Sequence, residues 1–505
     1  MKKIDSALIS VYHKNGLDEI ITELQKLNVQ IYSTGGTLDY IKSLGVDAIP
    51  VESLTSFPSI FGGRVKTLHP KIFGGILYRR DNSDDLKQKQ ELEIPAIDLV
   101  VVDLYPFEQT LASGATDEEI IEKIDIGGIS LIRAAAKNFA DVVIVPSAVH
   151  YEKLAGLLKE KNGCTDIEDR KYFAAQAFNI SSHYDAAIFN YFNSDKQIPS
   201  FKQSFDTQIV LRYGENPHQQ GIFYGNLNEV FQQLNGKNIS YNNLVDIEAA
   251  VNLIHDFTET TFAVLKHTNA CGVASRDKLI DAWKDALSGD PVSAYGGVLV
   301  TNRPLDIETA EEINNLFFEV IIAPDYNPQA LEILRQKKNR IILKQKLFEF
   351  PANQFKSLLN GVIEQDKDKT IETPDDLKVA TFTSPDAQTI QDLLFANKIV
   401  KHTKSNTIVL AKNGQLLGNG TGQTSRVDAL RQAIIKANEF GKDLHHAVMA
   451  SDAFFPFPDC VEIAHNAGII SVIQPGGSIN DKKSIDFCNQ NGVSMVLTGI
   501  RHFKH

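Results

Sequence analysis

Residues 97–105 read IDLVVVDLY. The run is apolar almost without a break, whereas a strand with one wet face would alternate. Three similar runs lie in the same stretch of chain: ALISVY at 7–12, VQIYST at 29–34 and ADVVIVP at 140–146. Amphipathic segments separate them. Short strands buried on both faces and joined by helices imply a parallel sheet with helices on both sides, an α/β fold. The alternation stops at NSDKQIPSFKQSFDTQ, residues 193–208, a polar stretch that reads as a domain boundary.

Beyond it, GKNISYNNLVDIEAAVNLIHDF (236–257) opens a second region. FAVLKHTNACGVA (262–274) and SAYGGVLVTN (293–302) read as strand-and-turn units around a helix at DKLIDAWKDALS (277–288). EQDKDKTIETPDDLK (364–378) reads as a second linker. After it, strand, Gly-rich turn, helix and strand recur through NTIVLAKNGQLLGNGTGQTSRVDALRQAIIKANEFG (406–441) and AVMASDAFFPF (447–457), a hint of two similar α/β units.

The 505 residues carry 43% hydrophobic and 23% charged side chains, enough for sizeable cores. A formal charge of −12 argues against a general nucleic-acid or membrane-surface protein, which needs a broad cationic face, but leaves room for small anionic ligands at local Lys and Arg clusters. The four cysteines (Cys164, Cys271, Cys460 and Cys488) show no framework spacing, which points to a reducing cytoplasm. The first residues lack the apolar core of a signal peptide, and no run of eighteen apolar residues suggests a membrane span.

Several clusters can carry chemistry. In YSTGGTLDYIKSLG (32–45) a strand ends at Ser33 and Thr34, Gly35 and Gly36 permit a tight turn, and Thr37 can cap a helix. Such a helix start is a phosphate cradle or a plain strand–helix turn. FGGRVKTLHPKIFGGI (61–76) sets Arg64, Lys66, Thr67, His69 and Lys71 between glycine pairs, and an extended chain would place Arg64 and Lys66 on one face of an anion groove. In IDIGGISLIRAAAKN (124–138), Asp125 precedes a helix carrying Arg133 and Lys137, for which Asp125 is a candidate partner. Lys266 and His267 end an apolar strand side by side. They form a catalytic pair at a turn around Asn269, Ala270 and Gly272, a metal site with Cys271, or a polar strand end. The zinc-deaminase pattern of H-x-E with P-C-x-x-C is missing. Ser425 to Asp428 has the form of a capping box, and SDAFFPFPD (451–459) is core or a stacking platform.

STGGT, GGRVKTLHP, DLYPF, IDIGG with RAAAKN, LRYGENPHQ, KHTNACG, GNGTGQTSR, SDAFFPF and the final RHFKH occur in one order. Together they resemble the bifunctional purine-biosynthesis family that joins phosphoribosylaminoimidazolecarboxamide formyltransferase to IMP cyclohydrolase. The resemblance runs from Ser10 to His505. It implies a methylglyoxal-synthase-like cyclohydrolase domain at 1–195. It implies a formyltransferase domain at 200–505 built of two cytidine-deaminase-like units, about 200–370 and 375–505, without zinc. It further implies 10-formyltetrahydrofolate as co-substrate, no required metal, and a homodimer. For formyl transfer the matching positions are Lys266, His267 and Asn406 as catalytic residues. Arg212, Tyr213, Gly296, Ser425, Arg426, Phe454, Phe457, Asp459, Arg501 and His505 match substrate-binding positions. For ring closure they are Lys137, Tyr105 and Asp125, with Ser10, Lys14, Ser33, Thr34, Gly35, Gly36, Thr37, Arg64, Lys66 and Thr67 along the nucleotide. Two positions depart from many relatives: Asp103 stands where Asn is usual, and Ala270 where Pro is usual.

Overall fold

The four apolar runs of the first 150 residues become neighbouring strands. The computed structural model describes residues 1–505, which divide into units Met1–Asp206 and Thr207–His505. In the first unit β1 (Ser6–Val11), β2 (Gln30–Ser33), β3 (Ile49–Pro50), β4 (Leu99–Asp103) and β5 (Val143–Val145) pair in the order β3-β2-β1-β4-β5. Every pairing is parallel. Leu99, Val100, Val101 and Val102 are all buried, which explains the unbroken apolar run. The unit's helices include α1 (Leu17–Lys26), α2 (Gly35–Ser43), α3 (Gly127–Lys137), α4 (Tyr151–Glu160) and the 26-residue α5 (Ile167–Phe192). Strand order reverses at β1, so a crevice opens beyond the carboxyl ends of β1, β2 and β4, where such sheets bind ligands.

The second unit is built on one mixed sheet of twelve strands, with two separate two-stranded hairpins. In chain order its strands are β6 (Phe231–Asn235), β7 (Thr261–Lys266), β8 (Asn269–Ser275), β9 (Val298–Thr301), β10 (Val320–Ala323), β11 (Ile341–Gln345), β12 (Lys378–Val379), β13 (Ile408–Lys412), β14 (Gln415–Gly420), β15 (Val448–Ser451), β16 (Ser471–Gln474) and β17 (Ser494–Leu497). Its helices include α6 (Tyr241–His255), α7 (Leu279–Leu287), α8 (Ile307–Ile313), α9 (Pro328–Arg335), α10 (Ala387–His402), α11 (Arg426–Glu439), α12 (Asp459–Asn466) and α13 (Asp481–Asn491).

The spatial order β6-β11-β10-β9-β7-β8-β14-β13-β15-β16-β17-β12 is a palindrome. Each half runs edge strand, long helix, hairpin, then three helix–strand steps. Both halves repeat the same sequence of parallel and antiparallel pairings. The halves meet where Ala274 of β8 pairs with Gln415 of β14.

Alternate residues serve the two faces of this sheet. Ala263 and Leu265 join a core beneath α6 and α10 that both halves share. Phe262 and Val264 join a core around Trp283 on the other face, and the second half has its own counterpart there. Residues 364–378 are tied down rather than free. Gly361–Asp366 pairs with Asn353–Leu358, and Asp368 and Glu372 both bind His502. No helix is long and apolar enough to cross a membrane.

Candidate active sites

In the first unit the hydroxyls of the STGGT stretch fix the crevice. Ser33 Oγ donates to the Ile9 carbonyl at 2.8 Å, and Ser10 and Thr34 hydroxyls lie 3.1 Å apart. Thr37 does not cap a helix. It lies inside α2, and its Oγ donates to the Val11 carbonyl at 3.0 Å while accepting the Val11 N–H. The cap position falls to Thr34, whose side chain makes no capping bond. The start of α2 therefore points N–H groups at the crevice, a geometry that suits an anion. The Lys66 ammonium sits 3.6 Å from where a Gly35 Cβ would be, and a Cβ at Gly63 would strike its side chain.

Residues 61–67 are not extended. A 3₁₀ turn at Phe61–Gly63 leads into Arg64, whose guanidinium pairs with the Glu122 carboxylate. Thr67 is buried, with its hydroxyl 3.2 Å from a Cβ placed on Gly127. Lys14 folds back to the Tyr12 and Val11 carbonyls.

Tyr105 follows β4. Its ring meets Tyr12 edge-on at 5.4 Å, and the Lys123 ammonium lies over both rings. Burial, then the Asp125 carboxylate, holds its phenol above the ordinary value, so at neutral pH it is a proton donor. Asp125 accepts the Gly128 N–H at 2.6 Å, at the start of α3. Burial raises its carboxyl pKa against these backbone bonds, and Asp103 adds to the rise. Asp103 itself is held by the His13 ring and N–H, both at 2.8 Å. The departure at Asp103 thus has a local partner and an electrostatic consequence for Asp125.

Lys137 is not Asp125's partner. It is exposed and ends the helix that begins at Gly127, about 15 Å farther along the axis. α3 also runs back toward the amino ends of the strands before feeding β5, so its last residue points away from the crevice.

In the second unit β7 carries Lys266 as its last residue, and His267 is the first residue of the turn into β8. The turn consists of His267 and Thr268 alone, with φ of 50° and 66°. Asn269, Ala270 and Gly272 belong to the returning strand, not to the turn. Gly272 is there for close approach: a Cβ would lie 1.9 Å from the Ala286 carbonyl oxygen of α7. Two-residue turns with both φ values positive favour Asn-Gly, and a β-branched residue there is an outlier. Holding His267 and Thr268 in that region costs of order 1–3 kcal/mol each, which the surroundings must offset.

The imidazole is exposed, and the Lys266 ammonium donates to the Tyr295 carbonyl at 2.8 Å, next to Gly296 at φ 75°. Cys271 turns inward. Its Sγ donates to the Val264 carbonyl, and burial, with Asp290, pushes the thiol up to about 12.

Asn269 links this hairpin to the Asn406 loop by accepting the Lys404 N–H at 3.2 Å. Asn406 is held on both sides. Its amide nitrogen donates to the Gln423 carbonyl at 2.9 Å, and its oxygen accepts from Arg426 at 2.8 Å. Arg426 also binds Asp452, which is fully buried, at 2.7 Å. Ser425 caps α11 by accepting the Asp428 N–H, but the Asp428 carboxylate accepts the Ser425 hydroxyl rather than its backbone N–H, so the reciprocal half of a capping box is missing. Gly418 and Gly420 of the Gly-rich stretch lie in β14 against α11, so the loop proper begins at Thr421.

The aromatic loop divides its labour. Phe455 is core, whereas Phe454 and Phe457 are exposed ahead of Asp459, the first residue of α12. Arg501 lies over Phe503, whose ring tilts against His505. Lys504 pairs its backbone with Ser405, so the tail runs beside the Asn406 loop. Arg212 stacks on Tyr213 in a loop that Asn242 of α6 holds through the Glu215 carbonyl, and no hydrogen bond joins either residue to the hairpin. Lys266, His267, Asn406, Ser425, Arg426 and the tail thus form one connected neighbourhood. Sequence reading missed Asp246 and Asp452 and took Asn269 only for part of the turn, because the partners of all three lie far away in sequence.

A model described as "AICARFT/IMPCHase bienzyme" matches residues 135–436, and one described as "MGS-like domain" matches 16–130. A bifunctional purine biosynthesis protein PurH from Bacteroides thetaiotaomicron is 62% identical over 100% of this chain and 99% of its own length. PurH proteins of Aquifex aeolicus and Persephonella marina are each 46% identical over 99% of this chain, covering 100% and 99% of their own lengths. The chain belongs to the AICARFT/IMPCHase bienzyme family. Within that bienzyme the MGS-like match spans the STGGT cradle, Tyr105 and Asp125. The bienzyme match spans the Lys266–His267 hairpin and reaches Arg426 in α11.

Proposed function

We propose that the second unit transfers a formyl group from 10-formyltetrahydrofolate to the 5-amino group of 5-aminoimidazole-4-carboxamide ribonucleotide. The first unit then closes the formamido product to IMP with loss of water. The observation that carries this reading is an exposed imidazole held beside an ammonium on a strained hairpin tip.

An arylamine on an electron-poor imidazole is a weak nucleophile. It must lose its proton as it attacks the formyl carbon, and a positioned base contributes roughly 10²–10⁴-fold. His267 is that base. Lys266 stabilises the negative charge developing on the formyl oxygen, and Asn406, its amide fixed by Arg426 and Gln423, orients the group. Phe454 and Phe457 offer faces to the flat rings of the substrates. Arg212, Arg501 and His505 meet anionic groups.

Ring closure begins with both reacting groups on one imidazole, so proximity supplies much of the rate. The phosphate lies at the start of α2 under Lys66. Tyr105, protonated at neutral pH, donates to the oxygen that leaves as water, and Asp125 exchanges the proton of the attacking carboxamide nitrogen. A part for Lys137 in this reaction requires a second copy of the chain, because its own crevice lies at the other end of α3. That requirement agrees with a homodimer. The compartment is the cytoplasm.

An absorbance assay with both substrates tests the reading on wild-type protein. H267A should lose formyl transfer yet still cyclise supplied formamido nucleotide, and K137A should do the reverse. Loss of both activities in either folded variant would refute two separate sites.

A further inference from the structure

We infer that Asp246 is a positioning residue for formyl transfer. Its carboxylate holds the His267–Thr268 turn so that the imidazole stands where the amine arrives. The inference rests on the formyl-transfer reading above and names a residue that reading does not use.

The repeat within the second unit supplies the argument. Asp246 is the sixth residue of α6, and its Oδ1 accepts the Thr268 N–H at 2.7 Å. Asp392 is the sixth residue of α10, and its two oxygens accept the Asn413 and Gly414 N–H groups, each at 2.7 Å. Both turns have positive φ at both central residues, 50° and 66° in the first and 52° and 63° in the second. One device, a helix carboxylate under a left-handed hairpin turn, therefore occurs twice.

The second copy holds Asn-Gly, which adopts that turn readily. The first holds His-Thr, which does not, so its turn depends more on the carboxylate. The other groups at this turn act within it: the Thr268 hydroxyl and the Asn269 amide both donate to the His267 carbonyl. No other side chain accepts the Thr268 N–H. Asp392 is buried, whereas Asp246 is half-buried beneath a turn whose His267 is exposed.

The experiment is a double-mutant cycle on the full chain, with cyclisation measured on every preparation to report a folded first unit. D246A is expected to lower kcat for formyl transfer by about 100-fold, the scale of a misplaced catalytic group, with KM for the nucleotide within about twofold. D246N, which keeps an acceptor for the Thr268 N–H, is expected to lose about 10-fold. In an H267A background D246A is expected to cost less than about threefold, because a residue acting through His267 has nothing left to position. D392N is the matched control, expected to lower the unfolding midpoint while leaving formyl-transfer kcat within about twofold.

Undiminished kcat in D246A and D246N overturns the inference. So does a full-sized loss from D246A in the H267A background, or an equal loss of kcat in D392N, either of which marks a purely structural carboxylate. A wild-type protein without formyl transfer removes the reaction itself, and is told apart from these because they all require an active wild type.

Discussion

The two hairpins at the centre of the second unit share a topology, a turn type and a supporting carboxylate, yet they differ in the residues at the tip. β7 and β8 turn through Lys266-His267-Thr268-Asn269, and β13 and β14 through Lys412-Asn413-Gly414-Gln415. The second tip has the composition that local backbone energetics prefer. Its lysine binds Asp443 and the His445 carbonyl at the surface, as an ordinary structural cation does. The first tip pays in backbone strain for an exposed imidazole beside an ammonium. A repeat thus serves as its own control: where the same fold supports a comfortable turn, departure from it marks the place where chemistry was retained.

Breaking each tip should give unequal results. H267A is expected to lower formyl transfer by roughly 10²–10⁴-fold with cyclisation unchanged, while N413A changes formyl transfer by less than about threefold. Steady-state assays of both reactions check this, and equal losses would erase the distinction between the halves.

The tail running beside the Asn406 loop sharpens the comparison through pH. His502 is buried between Asp368 at 2.6 Å and Glu372 at 2.8 Å. Burial works against its charge, but the two carboxylates prevail and raise its pKa from the ordinary 6.5 to about 9. The imidazolium clamp therefore contributes fully below about pH 6.5 and fades as pH rises through 9, a contribution of order 3 kcal/mol. Denaturant melts of the second unit should show stability falling between pH 7 and 9.5 in wild type and a flatter profile in H502Q. A flat wild-type profile would contradict the clamp. K412A should matter least, by under about 1 kcal/mol, because its pair with Asp443 is exposed. Unfolding midpoints measure it.

Much of this was legible in the sequence. Continuous apolar runs announced the parallel sheet because β1 and β4 are covered on both faces. Lys266 and His267 stood out because an apolar strand delivered them together. Other features were legible only in part. Small residues after His267 suggested a long turn, yet Gly272 is small because α7 crosses close to β8. Thr37 looked like a cap, but its hydroxyl joins α2 to β1, and a cross-element bond has no local signature. Lys137 and Asp125 sit close in sequence and are set at opposite ends of one helix. Asp246 and Asp452 could not be found in advance, since their importance lies in bonds to residues 22 and 26 positions away.

The most direct measurement replaces the strained tip by the relaxed one. H267N/T268G gives the first hairpin the tip of the second, and both the unfolding midpoint of the second unit and formyl-transfer kcat are then followed. The account predicts a raised midpoint with kcat reduced at least about 100-fold. A variant that keeps its kcat, or that gains no stability from Asn-Gly at these two positions, would contradict it.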